Sequence, residues 1–126
     1  MTKFDLEVHG VSFKNFIKLN NNEIIEVLNW RNHEQVRSMM ISKEIISIND
    51  HIQFIEKLKK TNEKVYWVAI FKGKLIGVVD LYNINEESAF WGYYLNPEYI
   101  GSSYGILLEY LILEIAFKYF ELNIFQ

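Results

Sequence analysis

The sequence predicts an α+β domain, a mostly antiparallel sheet with flanking helices, on three observations. Three β-rich runs, Val65 to Phe71, Leu75 to Tyr82 and Ser88 to Leu95, follow one another with only short turns between them. Such runs joined by short turns form an antiparallel meander. Two segments ahead of the meander carry apolar residues at helical spacing. After it, a run from about Tyr104 to about Leu122 presents Leu108, Leu111, Ile112, Ile115 and Tyr119 on one face, with Leu107, Leu113 and Phe120 on a second. A helix apolar on two faces expects cover on both.

Taken in order, Val11 to Leu19 (VSFKNFIKL) alternates imperfectly and reads as a strand. Asn20, Asn21 and Asn22 offer a choice of helix N-caps, with Glu23 in the first turn. The helix that follows carries Ile24, Val27, Leu28 and Arg31 on one face. Arg31 is then either an arginine snorkelling at the edge of that face or an anion contact. Trp30 and Met39-Met40 read as core or cleft wall. Ser47-Ile48-Asn49-Asp50 resembles a capping box with Asp in place of Glu, and His51, Phe54, Ile55 and Leu58 share the next helix face. His51 therefore points where the apolar residues point, as a buried core histidine or as a working one. Lys57, Lys59 and Lys60 suit the helix end. Asp80, inside a strongly apolar strand, belongs either at an exposed edge or in a cleft.

Composition narrows the function classes. The 126 residues suffice for one domain with a core, and that domain is expected to span 1–126. Half of them are hydrophobic and 16% aromatic, which excludes disorder. A formal net charge of −3 argues against a nucleic-acid backbone binder, including a helix-turn-helix reading of residues 22–60. No cysteine is present, so there is no thiolate nucleophile and no zinc–sulfur site, and no metal is expected. The start, MTKFDLEVHG, lacks the apolar core of a signal peptide. The longest apolar stretch, Ile106 to Phe120, is interrupted by Glu109, Glu114 and Lys118. A cytoplasmic protein with no membrane span is expected.

Between the third β run and the last helix lies the only proline, Pro97, and then the turn Gly101-Ser102-Ser103. A strand feeding a glycine-containing turn that opens a helix favours anions, phosphates above all. The turn frees backbone N–H groups, and the helix start adds partial positive charge.

The order β, α, α, β, β, β, α with this turn resembles the GCN5-related N-acetyltransferase (GNAT) family. Residue strings narrow the likeness. Asn29-Trp30-Arg31-Asn32-His33 is similar to the W/F-R-N-H string of the pseudaminic-acid pathway acetyltransferases. His51-Ile52-Gln53-Phe54-Ile55 (HxxFI), Leu75-Ile76-Gly77-Val78, and Gly92-Tyr93-Tyr94 with Asn96-Pro97 match in the same way. The resemblance covers nearly the whole chain. It implies a three-layer α/β/α GNAT fold lacking the C-terminal strands and helix, with acetyl-CoA as co-substrate. The implied acceptor is the C4 amine of a UDP-linked 4-amino-4,6-dideoxy sugar. A protein N-terminus or small amine as acceptor, or a non-catalytic binding domain, are the alternatives.

By position, the resemblance implies that Arg31, His51, Asn83 and Tyr94 line the nucleotide-sugar side, with Met40 and Tyr82 as neighbouring walls. It implies acetyl-CoA contacts from Tyr93, Tyr94 and Leu95 on the strand and from Gly101, Ser102, Ser103, Tyr104 and Gly105 on the turn. An arginine suits a diphosphate because its planar fork pairs with phosphate oxygens. The implied chemistry is direct transfer, with His51 a candidate catalytic base. Two departures stand out. The family turn pattern R/Q-x-x-G-x-G/A reads here as Glu98-x-x-Gly101-x-Ser103, which places a carboxylate near the pyrophosphate. The family also continues past Gln126 with a strand, a helix and a hairpin that carry the tyrosine expected to protonate the CoA thiolate. Residues 1–126 alone are therefore expected to turn over poorly and to associate, as a homodimer or otherwise, through an uncovered sheet edge.

Overall fold

A computed structural model describes residues 4–85 and 88–119. Its strands are β1 (Leu6–Val8), β2 (Val11–Asn15), β3 (Val65–Phe71), β4 (Lys74–Tyr82) and β5 (Phe90–Leu95). They form one sheet in the order β1-β2-β3-β4-β5, with every neighbouring pair antiparallel. The helices are α1 (Asn21–Asn32), α2 (Glu34–Arg37), α3 (Ile48–Leu58) and α4 (Tyr104–Tyr119). Two cores lie on opposite faces of the sheet. Leu108, Leu111, Ile112 and Ile115 of α4 pack on one face against Trp67, Val79 and Leu81. Val27 and Trp30 of α1 and Ile55 and Leu58 of α3 pack on the other against Val68, Val78 and Tyr94. The result is the three-layer α/β/α arrangement, its described strands all antiparallel to their neighbours.

Local chemistry sets the boundaries. Asn20 is the N-cap of α1: its side chain accepts from the Glu23 N–H and the Glu23 carboxylate accepts from the Asn20 N–H, a complete capping box. Ser47 caps α3 by accepting from the Asp50 N–H at 3.1 Å. Lys72 and Gly73, both at positive φ, make the tight turn between β3 and β4. In β4 the register skips between Ala69↔Gly77 and Ile70↔Leu75, leaving Ile76 as a bulged residue. Gly77 has no room for a side chain, because a Cβ there would lie 2.6 Å from the Tyr94 carbonyl oxygen.

Four expectations need correction. The strand beginning at Val11 stops at Asn15 rather than running to Leu19, because the Asn15 side chain accepts from the Ile17 N–H at 3.1 Å and turns the chain into a 3₁₀ segment, Phe16–Lys18. A further strand, β1, precedes it through a turn with His9 and Gly10 at positive φ. Met39 is 68% exposed and is not core. Finally, α4 is expected to be covered on both apolar faces, but among the described residues Leu107 and Leu113 are only half-buried, and Ile106, Tyr110 and Phe117 are exposed. The expected helix end at Leu122 and the strand expected to begin at Ile124 lie outside the described residues.

Candidate functional site

A cavity of about 600 Å³ opens on the α1/α3 face of the sheet, near the β5 edge. Five of the six residues expected on the acceptor side line it: Arg31, Met40, His51, Tyr82 and Tyr94. Asn83 does not; it is exposed at the end of β4, with φ of 50°. Of the residues expected at the coenzyme, Tyr93 and Tyr94 also reach this cavity, whereas Leu95 and the turn at 101–105 lie apart from it.

The sequence puts Arg31 in the last turn of α1, where its Nη2 donates to the Ser42 carbonyl at 3.1 Å. Its Nη1 is buried and has no protein partner. The neighbouring Asn32 binds the same loop: Nδ2 donates to the Ile46 carbonyl and Oδ1 accepts from the Ile46 N–H, each at 2.8 Å. His33 caps α2, its Nδ1 accepting from the Gln35 N–H at 3.2 Å. Arg31 and Asn32 therefore do not act alike. One half of the arginine and all of the asparagine hold the 38–46 loop, and the other half of the arginine has no protein partner.

His51, on the first turns of α3, is buried. Burial holds its imidazole below the ordinary histidine range, and a hydrogen bond to the Ile24 backbone opposes this only in part. Its Nε2 is buried without a partner. A neutral ring anchored at its other nitrogen leaves Nε2 as an acceptor in the cavity.

Asp80 sits in the cavity wall, near the end of β4, only 7% exposed. Its register neighbours are Tyr66 on β3 and Gly92 on β5. Burial pushes its carboxyl up to about 7, with Lys64 pulling weakly the other way. Tyr66 and Tyr94, also in the lining, are held above the ordinary phenol range, first by burial. The choice between edge and cleft for Asp80 thus resolves to cleft. Sequence reading did not count Asp80, Tyr66 or Gly92 among the site residues. The available signal was a lone carboxylate at an inward position of an apolar strand, with glycine opposite.

On the other side of β5, the chain is tied down before it enters α4. The Asn96 side chain donates to the Leu75 carbonyl and accepts from the Glu98 N–H, both at 3.0 Å. Glu98 itself is exposed. Gly101 takes a φ of 88°, in the left-handed region that favours glycine. The Ser102 hydroxyl accepts from the Tyr104 N–H at 3.2 Å. The Tyr104 ring packs edge-on against Tyr99 and Phe71. Gly105 lies against β5, where a Cβ would stand 3.6 Å from Leu95 Cδ1 and 3.8 Å from the Tyr93 hydroxyl. The expected strand and turn residues are therefore adjacent in space. No group of three or more metal-ligating side chains occurs among the described residues. No described helix is long and apolar enough to cross a membrane.

Comparisons with known proteins give the same architecture. Residues 15–125 match the family described as Acetyltransferase (GNAT) domain. The acetyltransferase PseH of a Campylobacter jejuni serotype O:23/36 strain is 33% identical over 113 residues, covering 90% of this chain and 70% of the relative. The crystal structure of C. jejuni PseH in complex with acetyl coenzyme A superposes with a TM-score of 0.68 at 29% identity, covering 86% of this chain and 68% of that one. A spermidine N-acetyltransferase from Vibrio cholerae, with CoA and spermine, gives a TM-score of 0.75 at 20% identity and shares the fold, covering 87% of this chain and 65% of that one. The chain belongs to the GNAT family of N-acetyltransferases, whose co-substrate is acetyl-CoA.

Proposed function

We propose that this protein transfers the acetyl group of acetyl-CoA to the C4 amine of a UDP-linked 4-amino-4,6-dideoxy-N-acetyl sugar, a step of pseudaminic acid biosynthesis in the cytoplasm. The observation that carries the reading is Arg31: a buried guanidinium nitrogen, Nη1, has no protein partner and its side chain lines the large cavity. A buried cationic donor without an acceptor is costly, and a diphosphate oxygen satisfies it. The likeness to the acetyltransferase PseH supports acetyl transfer from acetyl-CoA, and the sequence strings that resemble the pseudaminic-acid pathway acetyltransferases favour this acceptor. In this reading His51 Nε2 hydrogen-bonds the sugar nucleotide, Tyr82 and Tyr94 supply aromatic walls, and Met40 adapts to the base or sugar. Asn83 stays outside the contact set.

The coenzyme lies along β5 and over the turn at 101–105, at the start of α4. A backbone N–H near Tyr93 to Leu95 polarises the thioester carbonyl. Glu98, being exposed, has freedom to turn from the pyrophosphate. A second acceptor class, a small polyamine, draws support from Glu44, Asp50 and Asp80 in the cavity lining. The test is an acceptor competition: acetyl-CoA offered with equal UDP-4-amino sugar, spermidine and an N-terminal peptide. Acetylation of the sugar nucleotide ahead of the other two is expected. Spermidine or peptide acetylated in preference overturns the reading.

A further inference from the structure

We infer that Asp80 receives the acceptor's ammonium nitrogen in the cavity and takes its proton, so that a neutral amine meets the thioester. The inference rests on the nucleotide-linked amino sugar as acceptor and assigns the group that handles its nitrogen.

Asp80 lies on β4, one strand in from β5, and pairs in register with Gly92. A Cβ at position 92 would stand 3.1 Å from one carboxylate oxygen of Asp80 and 3.5 Å from the other. Both oxygens therefore lie over bare backbone, beside the strand proposed to hold the thioester. Any side chain at 92 would cover them. Among the described residues no ion pair and no hydrogen bond satisfies this carboxyl group. A buried carboxylate left this way lacks a cationic partner.

The same cavity holds an unpartnered Arg31 Nη1 and an unpartnered His51 Nε2. The Tyr66 and Tyr94 hydroxyls feel both Asp80 and Arg31. A molecule with an anion at one end and an ammonium at the other meets both charges at once. A sugar nucleotide with a free amine is such a molecule. His51, held neutral, brings no negative charge to pair with the ammonium ion, and its Nε2 is suited to accept from a hydroxyl. Burial also brings the Asp80 carboxyl up to about 7, closer to the range of an amine and hence better matched for proton transfer.

The step balances as follows. The acceptor enters as R–NH₃⁺, and one proton moves to the Asp80 carboxylate. The freed lone pair forms the N–C bond while the carbonyl π pair moves to oxygen. That pair then returns, the C–S bond breaks, and sulfur leaves with its electrons. The second nitrogen proton joins the thiolate through water to give CoA–SH, and Asp80 releases its proton to solvent.

The test is calorimetric titration of wild type and Asp80→Asn with UDP-4-amino-4,6-dideoxy sugar, its 4-hydroxy counterpart and UDP alone. Asn keeps the shape and removes only the charge, and UDP binding reports that the cavity has folded. Wild type is expected to prefer the amine over the hydroxyl by roughly tenfold or more, the scale of a charge-assisted hydrogen bond. In Asp80→Asn that preference falls to within about twofold, while UDP affinity is unchanged. A preference surviving in Asp80→Asn, or absent from a wild type that binds UDP, overturns the assignment. Failure of wild type to bind UDP or either sugar overturns the acceptor reading itself, and the assignment with it.

Discussion

The Asn32 side chain closes a two-sided hydrogen-bonded ring on the Ile46 backbone, donating to its carbonyl and accepting from its N–H at 2.8 Å each. Ile46 is in the loop that forms one wall of the cavity, together with Ile41, Ser42 and Ile45. A residue outside the cavity lining therefore sets the shape of the cavity wall. Asn32→Ala is expected to weaken sugar-nucleotide binding by about 1–3 kcal/mol, the penalty for unpairing half-buried backbone groups. Acetyl-CoA affinity should hold. Titration of each ligand separately checks this, and an equal loss for both would mean that Asn32 supports the whole fold.

Arg31 divides its guanidinium between the Ser42 carbonyl and the cavity. Arg31→Ala should lower sugar-nucleotide affinity by about 1.5–3 kcal/mol, the range for a hydrogen bond to a charged group. Arg31→Lys should restore little, since a point charge cannot serve the carbonyl and the phosphate together. Full recovery in the lysine variant would show that only net charge matters at this position.

Gly77 faces Leu95 across the β4–β5 ladder, and a Cβ would collide with the Tyr94 carbonyl oxygen at 2.6 Å and approach Leu95 Cα to 3.2 Å. These are backbone atoms and cannot rotate away. Gly77→Ala should cost about 1–3 kcal/mol of stability, as overpacking does. It should also shift β5, the strand on which the coenzyme is proposed to lie. Denaturant melts and acetyl-CoA titration of the variant measure the two effects, and wild-type values for both would contradict the packing account.

Asp80 and His51 give stability opposite pH dependences. Burial raises the Asp80 carboxyl from 3.8 to about 7, so the folded state keeps a proton that the unfolded chain releases. That contribution is complete below the ordinary carboxyl value and is lost as pH rises towards 7. Burial lowers His51, so its contribution is present above the ordinary imidazole value of 6.5 and is lost as pH falls through the lower folded value. Asp80→Asn should match wild type near pH 4 and exceed it by on the order of 2–4 kcal/mol near pH 8, from the linkage of the shift. A stability difference that does not change with pH would contradict the burial of this carboxyl.

The fold was largely legible because its signals are local. The meander between Val65 and Leu95 is written in β-rich runs, and Lys72-Gly73 and Asn20 carry their own turn and cap chemistry. The strand expected to run to Leu19 failed because Asn15 satisfies a backbone N–H two residues on, an option that hydrophobic alternation does not register. At the site, helical spacing put Arg31 and His51 on the inward faces, and both line the cavity, but spacing alone did not separate a working residue from a structural one. The loop at 38–46 was not, since its place is set by Asn32, fourteen residues before Ile46. The pairing of Asp80 with Gly92 was hidden for the same reason: register across two strands depends on the length of the turn between them, and periodicity within either strand does not reveal it.

The central claim is that acetyl-CoA acetylates a nucleotide-linked amino sugar in this cavity. The most direct measurement is mass spectrometry and NMR of the product formed when the protein is given acetyl-CoA and UDP-4-amino-4,6-dideoxy-N-acetyl sugar. One new acetamide at C4, formed far more slowly by Arg31→Ala, is the predicted result. An untouched sugar nucleotide beside an acetylated polyamine, or an acetyl group on the sugar that forms equally well without Arg31, would contradict it.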